Sequence, residues 1–143
     1  MIRETIRLIL EAEMSKTSAG IVVIRRFDDS FKVLCLKKKK KFDITKGLIE
    51  PGESPINAAI RETAEEAGIT DLNFEWGSEP IAYGKGYAYI ASTKQDPIIL
   101  PNPETGILEH TGYQWLTFEE ALESLPEYLL PAIHYAESLV SKA

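Results

Sequence analysis

A single cysteine rules out an internal disulfide, and with two histidines in all no Cys/His zinc pattern can be drawn. Cys35 sits in the apolar run Val33-Leu34-Cys35-Leu36, which marks a buried, inert thiol rather than a nucleophile. Such sparse cysteine usage fits a reducing, cytoplasmic compartment. Long apolar stretches are missing as well. Nothing approaches the roughly 18 residues of a membrane span, so no membrane partner is expected. A basic excess is also absent: the formal net charge is -6, which argues against a general nucleic-acid binder. A short polyphosphate or an RNA 5′ end stays compatible with that total, because local charge decides such binding.

What is present fits one domain. The chain has 143 residues, of which 44% are hydrophobic, enough to bury a core without staples. Residues 1–14, MIRETIRLILEAEM, read as a short helix with Ile2, Ile6, Ile9 and Leu10 on one side. Acidic residues interrupt the segment and no small-residue cleavage site follows, so it does not read as a secretion signal. Met14-Ser15-Lys16 resembles an ordinary protein start, and residues 1–13 are expected to be an extension peripheral to a single domain spanning 14–143.

Ser18 to Phe27 is rich in β-branched residues and predicts a strand, Asp28-Asp29-Ser30 a turn, and Phe31 to Lys37 the returning strand. Further strands are expected near Leu72–Trp76, Pro80–Tyr83, Gly86–Ser92 and His110–Leu116. Pro97 to Gly106 reads as a loop, and Lys37 to Lys41 as a mostly solvated run. Thr117-Phe118-Glu119-Glu120 has the form of a capping box, opening a helix that Pro126 ends. A last helix is expected over roughly Glu127–Ser141, with Pro131 tolerated in its first turns. The pattern is a mixed sheet between helices, α+β or α/β in layer terms. No internal repeat is visible.

The chemistry is concentrated between Gly47 and Ile69, GLIEPGESPINAAIRETAEEAGI. Ser54 and Pro55 form a helix start, since serine caps free amides and proline suits the first helical position. Ile56 to Ala67 has no interior glycine or proline, and Gly68 is a natural stop. On this helix Glu62 and Glu66 lie one turn apart with Glu65 beside them. Three carboxylates on one face repel each other. A solvated acidic face is the usual reading of such spacing, but a hard divalent cation would remove the repulsion. Mg²⁺ favours oxygen ligands and substrate phosphates, and Mn²⁺ accepts the same donors. The two glycines and the proline of Gly47–Glu53 allow backbone carbonyls to approach an ion.

Gly47, Glu53, Arg61-Glu62, Glu65-Glu66, Gly68 and Ile69 together resemble the signature of the Nudix hydrolases, which cleave nucleoside diphosphates linked to another group. The one departure within it is Thr63, where a larger aliphatic residue is usual. The resemblance implies an α/β/α sandwich with a mixed central sheet and Mg²⁺ or Mn²⁺ held by Glu62, Glu65, Glu66 and the Gly47 carbonyl. It gives Arg61 and Glu53 the task of holding the loop against the helix and orienting those carboxylates.

Flanking segments narrow the resemblance to the diadenosine tetraphosphate hydrolases: the strand Ser18–Arg26, the segment Phe42–Gly47, and Glu109-His110-Thr111-Gly112-Tyr113-Gln114-Trp115-Leu116. Phe42 stands where tryptophan is usual and Thr45 where proline is usual. The implied substrate is a small-molecule nucleoside polyphosphate, with diadenosine tetraphosphate giving ATP and AMP. The resemblance makes Glu109 an extra metal ligand or the base that activates water; Glu66, Glu65 or Glu109 takes the proton, and the sequence does not choose among them. Lys46 and Lys85 are candidates for stabilising phosphates. If residues 82–89 form one straight strand, Tyr83, Lys85, Tyr87 and Tyr89 line a wall able to stack a base; a turn at Gly84-Lys85-Gly86 breaks that wall. His110 and Tyr113 are expected to pack or hydrogen-bond within the sheet, and Trp115 to lie in the core. The alternatives are an RNA 5′-pyrophosphohydrolase, an ADP-ribose or oxidised-nucleotide pyrophosphatase, or a nucleotide-sensing module without catalysis. Monomer and homodimer both stay open.

Overall fold

A computed structural model of the chain describes residues 17–141. The expected helix over residues 1–14, the start at Met14 and the boundary of the 1–13 extension lie outside the described residues.

Strands β1 (Ser18–Phe27) and β2 (Ser30–Lys38) form the expected hairpin. Asp28 turns the chain with φ of 47°, a left-handed conformation that aspartate tolerates in tight hairpins. The two strands pair only through Ile24–Phe27 and Ser30–Val33, then splay apart. Two short strands fill the opening. β3 (Lys41–Asp43) pairs with the far end of β2, and β4 (Thr45–Leu48) pairs antiparallel with Ser18–Ile21 of β1, Leu48 opposite Ser18 and Thr45 opposite Ile21. Ile44 links them and is buried. This splay puts the backbone of Lys46 and Gly47 in the sheet rather than in a free loop.

β5 (Ile81–Tyr83) and β6 (Gly86–Ser92) form a second hairpin, and β6 runs parallel to β1. β7 (Gly112–Thr117) takes the other edge of β2. The result is a seven-stranded mixed sheet. Alternate residues of β1 feed opposite layers, as strand pleating requires. Ala19, Ile21 and Val23 pack with helix α1 (Pro55–Ala67), whose Ala58, Ala59 and Ala67 share that core. Val22 and Ile24 pack on the other side with α2 (Phe118–Ser124) and α3 (Leu130–Ser141). The fold is the expected α/β/α sandwich. Cys35 is buried in the second layer, and that burial, reinforced by Asp43 and Glu120, pushes its thiol up to about 12, so it is inert.

Two expectations need correction and one alternative is decided. Leu72–Trp76 is not a strand: it meets the sheet at a single bridge, Asn73 to Ser92, because it reaches β6 only at that strand's last residue. Of the two courses open for residues 82–89 the chain takes the turn: Gly84 has φ of 50° and the chain reverses there, between the two separate strands expected. The last helix opens with a 3₁₀ turn, Glu127–Leu129. Pro131 has no N–H to give the Glu127 carbonyl, and Leu130 donates to it instead in the tighter pattern.

Candidate active site

Helix α1 carries the acidic face, and its ends are fixed by sequence. Ser54 Oγ accepts the Asn57 N–H at 3.3 Å, Pro55 opens the first turn, and Gly68 closes the helix with φ of 65°. The buried side is made of small residues, Ala58, Ala59, Thr63 and Ala67, so the helix lies close against β1 and β4. That closeness brings backbone to carboxylate. The Lys46 N–H donates to Glu66 Oε1 at 2.8 Å. A Cβ on Gly47 would overlap the Glu62 carboxylate, so only glycine lets this backbone lie against the acid.

The two threonines that depart from the usual pattern meet in this seam. Thr45 and Thr63 hydroxyls are 2.8 Å apart, both buried, and Thr63 Oγ1 also donates to the Ala59 carbonyl at 2.8 Å. Thr45 has a longer contact, 3.3 Å, to the Ile21 carbonyl. One hydrogen-bonded pair therefore ties β4 to the centre of α1.

Arg61 organises the other side. Its Nε and Nη2 grip both oxygens of Glu53 at 2.8 and 3.0 Å, and Nη2 also donates to the Leu48 carbonyl at 3.0 Å. Nη1 donates to Glu62 at 2.9 Å and to Glu65 at 3.2 Å. Glu53 accepts the Glu50 N–H at 3.1 Å as well. The hydrogen bond from Arg61 holds Glu53 below the usual carboxylate range, and the same bonds raise the guanidinium. The planar fork fixes the loop and two carboxylates at once, which an ammonium cannot do.

Beyond Arg61 the acids crowd. Burial pushes Glu66 up to about 8, with Glu62, Asp43 and Glu109 adding to it against the Lys46 N–H. Burial also raises Glu62, against the pull of Arg61. Glu109 approaches from the loop before β7, and Asn102 Nδ2 donates to its Oε1 at 3.0 Å. The same Asn102 accepts the N–H groups of Glu104 and Thr105 at 2.8 and 3.2 Å. The loop is tied to the end of α1 by the Ile98 N–H to the Ala67 carbonyl at 2.8 Å. His110 does not bond within the sheet. It is buried, with Nδ1 3.6 Å from Glu66 Oε2, and burial lowers it against the opposing pull of Asp43 and Glu109.

Lys46, Gly47, Arg61, Glu62, Glu65 and Glu109 border one open cleft of about 410 Å³, within the range of small-molecule sites. Glu66 and His110 line its adjoining recess. Tyr83, Lys85 and Tyr87 are not part of either lining. Tyr83 faces the α2/α3 layer, hydrogen-bonded to Ser18 at 2.8 Å, whereas Tyr89 packs on the α1 side. The hairpin reversal puts the tyrosines on opposite faces, so no common wall exists. Lys85 is exposed at the turn, and Tyr87 is exposed on β6. Lys37 to Lys41 are exposed around the β2–β3 turn, with none bordering the cleft. Tyr113 is exposed rather than packed, and Trp115 is partly buried, edge-on to Phe27.

The family described as the NUDIX domain matches residues 14–135. The chain belongs to the Nudix family. It is 30% identical over 113 residues to the asymmetrical bis(5′-nucleosyl)-tetraphosphatase of Caenorhabditis elegans, covering 74% of this chain and 82% of that one. The protein of that name from Sus scrofa is 36% identical over 88 residues, 54% of this chain, which spans 56% of that relative's length. In fold, a crystal structure of a C. elegans Ap4A hydrolase binary complex superposes with a TM-score of 0.69 at 20% identity, covering 89% of this chain and 98% of that one. The chain is a Nudix pyrophosphohydrolase, the class its carboxylate helix predicts.

Nudix hydrolases in general use divalent metals, and the donors here fit one. Burial of Glu66 beside Glu62 is unfavourable for two free carboxylates and suits carboxylates that share a cation. Gly47, having no Cβ, lets its backbone lie beside Glu62. The set is all oxygen, the preference of Mg²⁺ and Mn²⁺. Sequence reading passed over two neighbours of this Nudix site. Asn102 precedes a proline, a turn signal, but nothing in the sequence tied it to Glu109. Tyr128 stands half-exposed beside Tyr83, ring centroids 5.9 Å apart, with Lys46 Nζ 5.8 Å from its ring. It follows Pro126 in a 3₁₀ turn distant in sequence from the signature, so no local pattern marks it.

Proposed function

We propose that the enzyme hydrolyses a P–O–P bond of a nucleoside polyphosphate with Mg²⁺ or Mn²⁺, and that its substrate is diadenosine tetraphosphate, cleaved to ATP and AMP. The observation that carries the reading is the Lys46-Gly47 backbone laid directly against Glu62 and Glu66. Gly47 through its carbonyl, with Glu62, Glu65 and Glu66, would hold the ion. When bound, the cation neutralises phosphate oxygens and lowers the pKa of water.

The chain's own groups supply the rest. Water attacks phosphorus, a P–O bond forms, and the bridging P–O bond breaks toward the leaving phosphate. Glu65 takes the proton: its side chain is 32% exposed against 17% for Glu62 and 13% for Glu66, so it is the helix carboxylate most open to water. Glu109 across the cleft is the other acceptor, and Glu65→Gln and Glu109→Gln separate the two. Arg61 keeps the helix carboxylates in register. Lys46 answers the leaving phosphates. Burial works against its charge, but Asp43 at 3.0 Å and Tyr128 outweigh it and hold the ammonium above its ordinary value. The exposed face of Tyr128 beside Lys46 suits an adenine ring. Tyr83, buried and bonded to Ser18, backs that platform, and Lys85 and Tyr87 would reach only a substrate extending to the β5–β6 turn.

The substrate choice rests on the named relatives and on the Glu109–Leu116 segment. Diadenosine tetraphosphate, ADP-ribose, GTP and a 5′-triphosphorylated RNA, each given to the enzyme with Mg²⁺, test it by ion-exchange separation of products. ATP with AMP at the fastest rate supports the reading. Two ADP, or faster turnover of another substrate, refutes it.

A further inference from the structure

We propose that Glu66, His110 and Glu109 form a mixed nitrogen–oxygen cation subsite that takes a divalent ion of the Mn²⁺–Co²⁺–Zn²⁺ series in preference to Mg²⁺. The inference rests on the reading above that Glu66 faces a cation, and it adds a nitrogen donor and a selectivity that the all-oxygen set lacks.

One ligand atom from each residue lies within 4.8 Å of the other two. His110 is 6% exposed, and among the described residues its imidazole makes no hydrogen bond. No side-chain nitrogen or oxygen among the described residues is both sealed in and unpaired, so the ring nitrogens of this imidazole keep some access. What this one exposes opens into the recess it lines with Glu66 and Glu109. Two donors on one ion, each about 2.1 Å from it, stand roughly 3.0–3.4 Å apart. The Nδ1–Oε2 distance of 3.6 Å between His110 and Glu66 is near that spacing and too long for a hydrogen bond. Glu109 is already positioned by Asn102, on a loop anchored to the end of α1. Glu109 is the exposed member of the set, so closing it moves a surface side chain rather than the sheet.

Donor chemistry sets the selectivity. Mg²⁺ prefers six oxygens and retains waters. Imidazole is a poor ligand for it, and affinity rises along the first-row series from Mn²⁺ onward. A site with two carboxylates and one imidazole therefore separates the ions by the nitrogen.

The test uses the tag-free full chain loaded with Mn²⁺ and pulsed electron paramagnetic resonance, which detects ¹⁴N bound to the ion. The chain's other histidine, His134, is exposed on α3, so His134→Gln serves as the control. Nitrogen modulation in the wild type and in His134→Gln, lost in His110→Gln, is expected. By calorimetric titration His110→Gln should lose at least about tenfold in Mn²⁺ affinity, with a smaller loss for Mg²⁺. No ¹⁴N modulation in the wild type, its persistence in His110→Gln, or equal losses for both ions would overturn the proposal. If His110→Gln does not fold, the wild type and His134→Gln decide alone. Failure of the hydrolytic reading looks different: no turnover with any cation, with the nitrogen signal intact.

Discussion

Replacing Thr45 and Thr63 by valine, singly and together, isolates the seam that joins β4 to the carboxylate helix. In Thr63→Val the Thr45 hydroxyl keeps only the 3.3 Å contact to the Ile21 carbonyl. A buried hydroxyl left so poorly paired costs about 1–3 kcal/mol. In Thr45→Val the Thr63 hydroxyl still donates to the Ala59 carbonyl at 2.8 Å, so the loss is that of one ordinary hydrogen bond, about 0.5–1.5 kcal/mol. The double variant has no orphaned hydroxyl in the seam and should cost less than the sum, by roughly 1 kcal/mol. Urea unfolding of the four proteins, with a common slope, reads this as midpoint shifts. Thr45→Val costing as much as Thr63→Val, or additivity within about 0.5 kcal/mol, would refute the argument. Lys46 follows Thr45 directly, so Thr63→Val should also loosen its N–H from Glu66 and lower turnover.

Arg61→Lys should fold but lose roughly 10–100-fold in turnover, because one ammonium cannot hold both Glu53 oxygens, Glu62, Glu65 and the Leu48 carbonyl; near-normal rates would remove the fork from the account. Asn102→Asp keeps the acceptor for the Glu104 and Thr105 amides but loses the donor to Glu109. Turnover should drop by up to about tenfold with little change in Tm, and a matching fall in Tm would mean that Asn102 only folds the loop. In chelator, Glu66 keeps its proton up to about 8 in the folded protein but only to 4.5 when unfolded. The folded state then holds the extra proton, so stability is full below about 4.5 and falls as pH rises through 8. Tm measured across that window should decline, and Glu66→Gln should flatten the slope; an unchanged slope in the variant contradicts the burial of that carboxylate.

The Gly47–Ile69 segment was legible because its information is local. Caps, helix and carboxylate spacing are set by neighbours in sequence, and α1 runs from Pro55 to Ala67 much as that spacing predicts. β1 and β6 were legible for the same reason, through their β-branched and alternating runs. β3 and β4 were not, since strands of three and four residues carry no period. The tyrosine wall hung on one dihedral, that of Gly84, which the sequence permits in either state. Thr45 and Thr63 each read as an isolated departure from the usual pattern; their hydroxyls make them one paired substitution across 18 residues. His110 with Glu66 and Tyr128 with Lys46 are contacts between segments far apart in sequence, visible only once the sheet had brought them together, and Asn102 meets Glu109 within one loop whose irregular path carries no period to read.

The central claim is that the Lys46-Gly47 backbone and the carboxylates of α1 form a metal-dependent site for P–O–P hydrolysis. The most direct measurement is release of ATP and AMP from diadenosine tetraphosphate by chelator-treated enzyme as Mg²⁺ is added back, with Glu66→Gln alongside. Equal amounts of the two products, appearing only with the ion and reduced at least about a hundredfold in the variant, are predicted. Turnover without metal, or undiminished in Glu66→Gln, would contradict it.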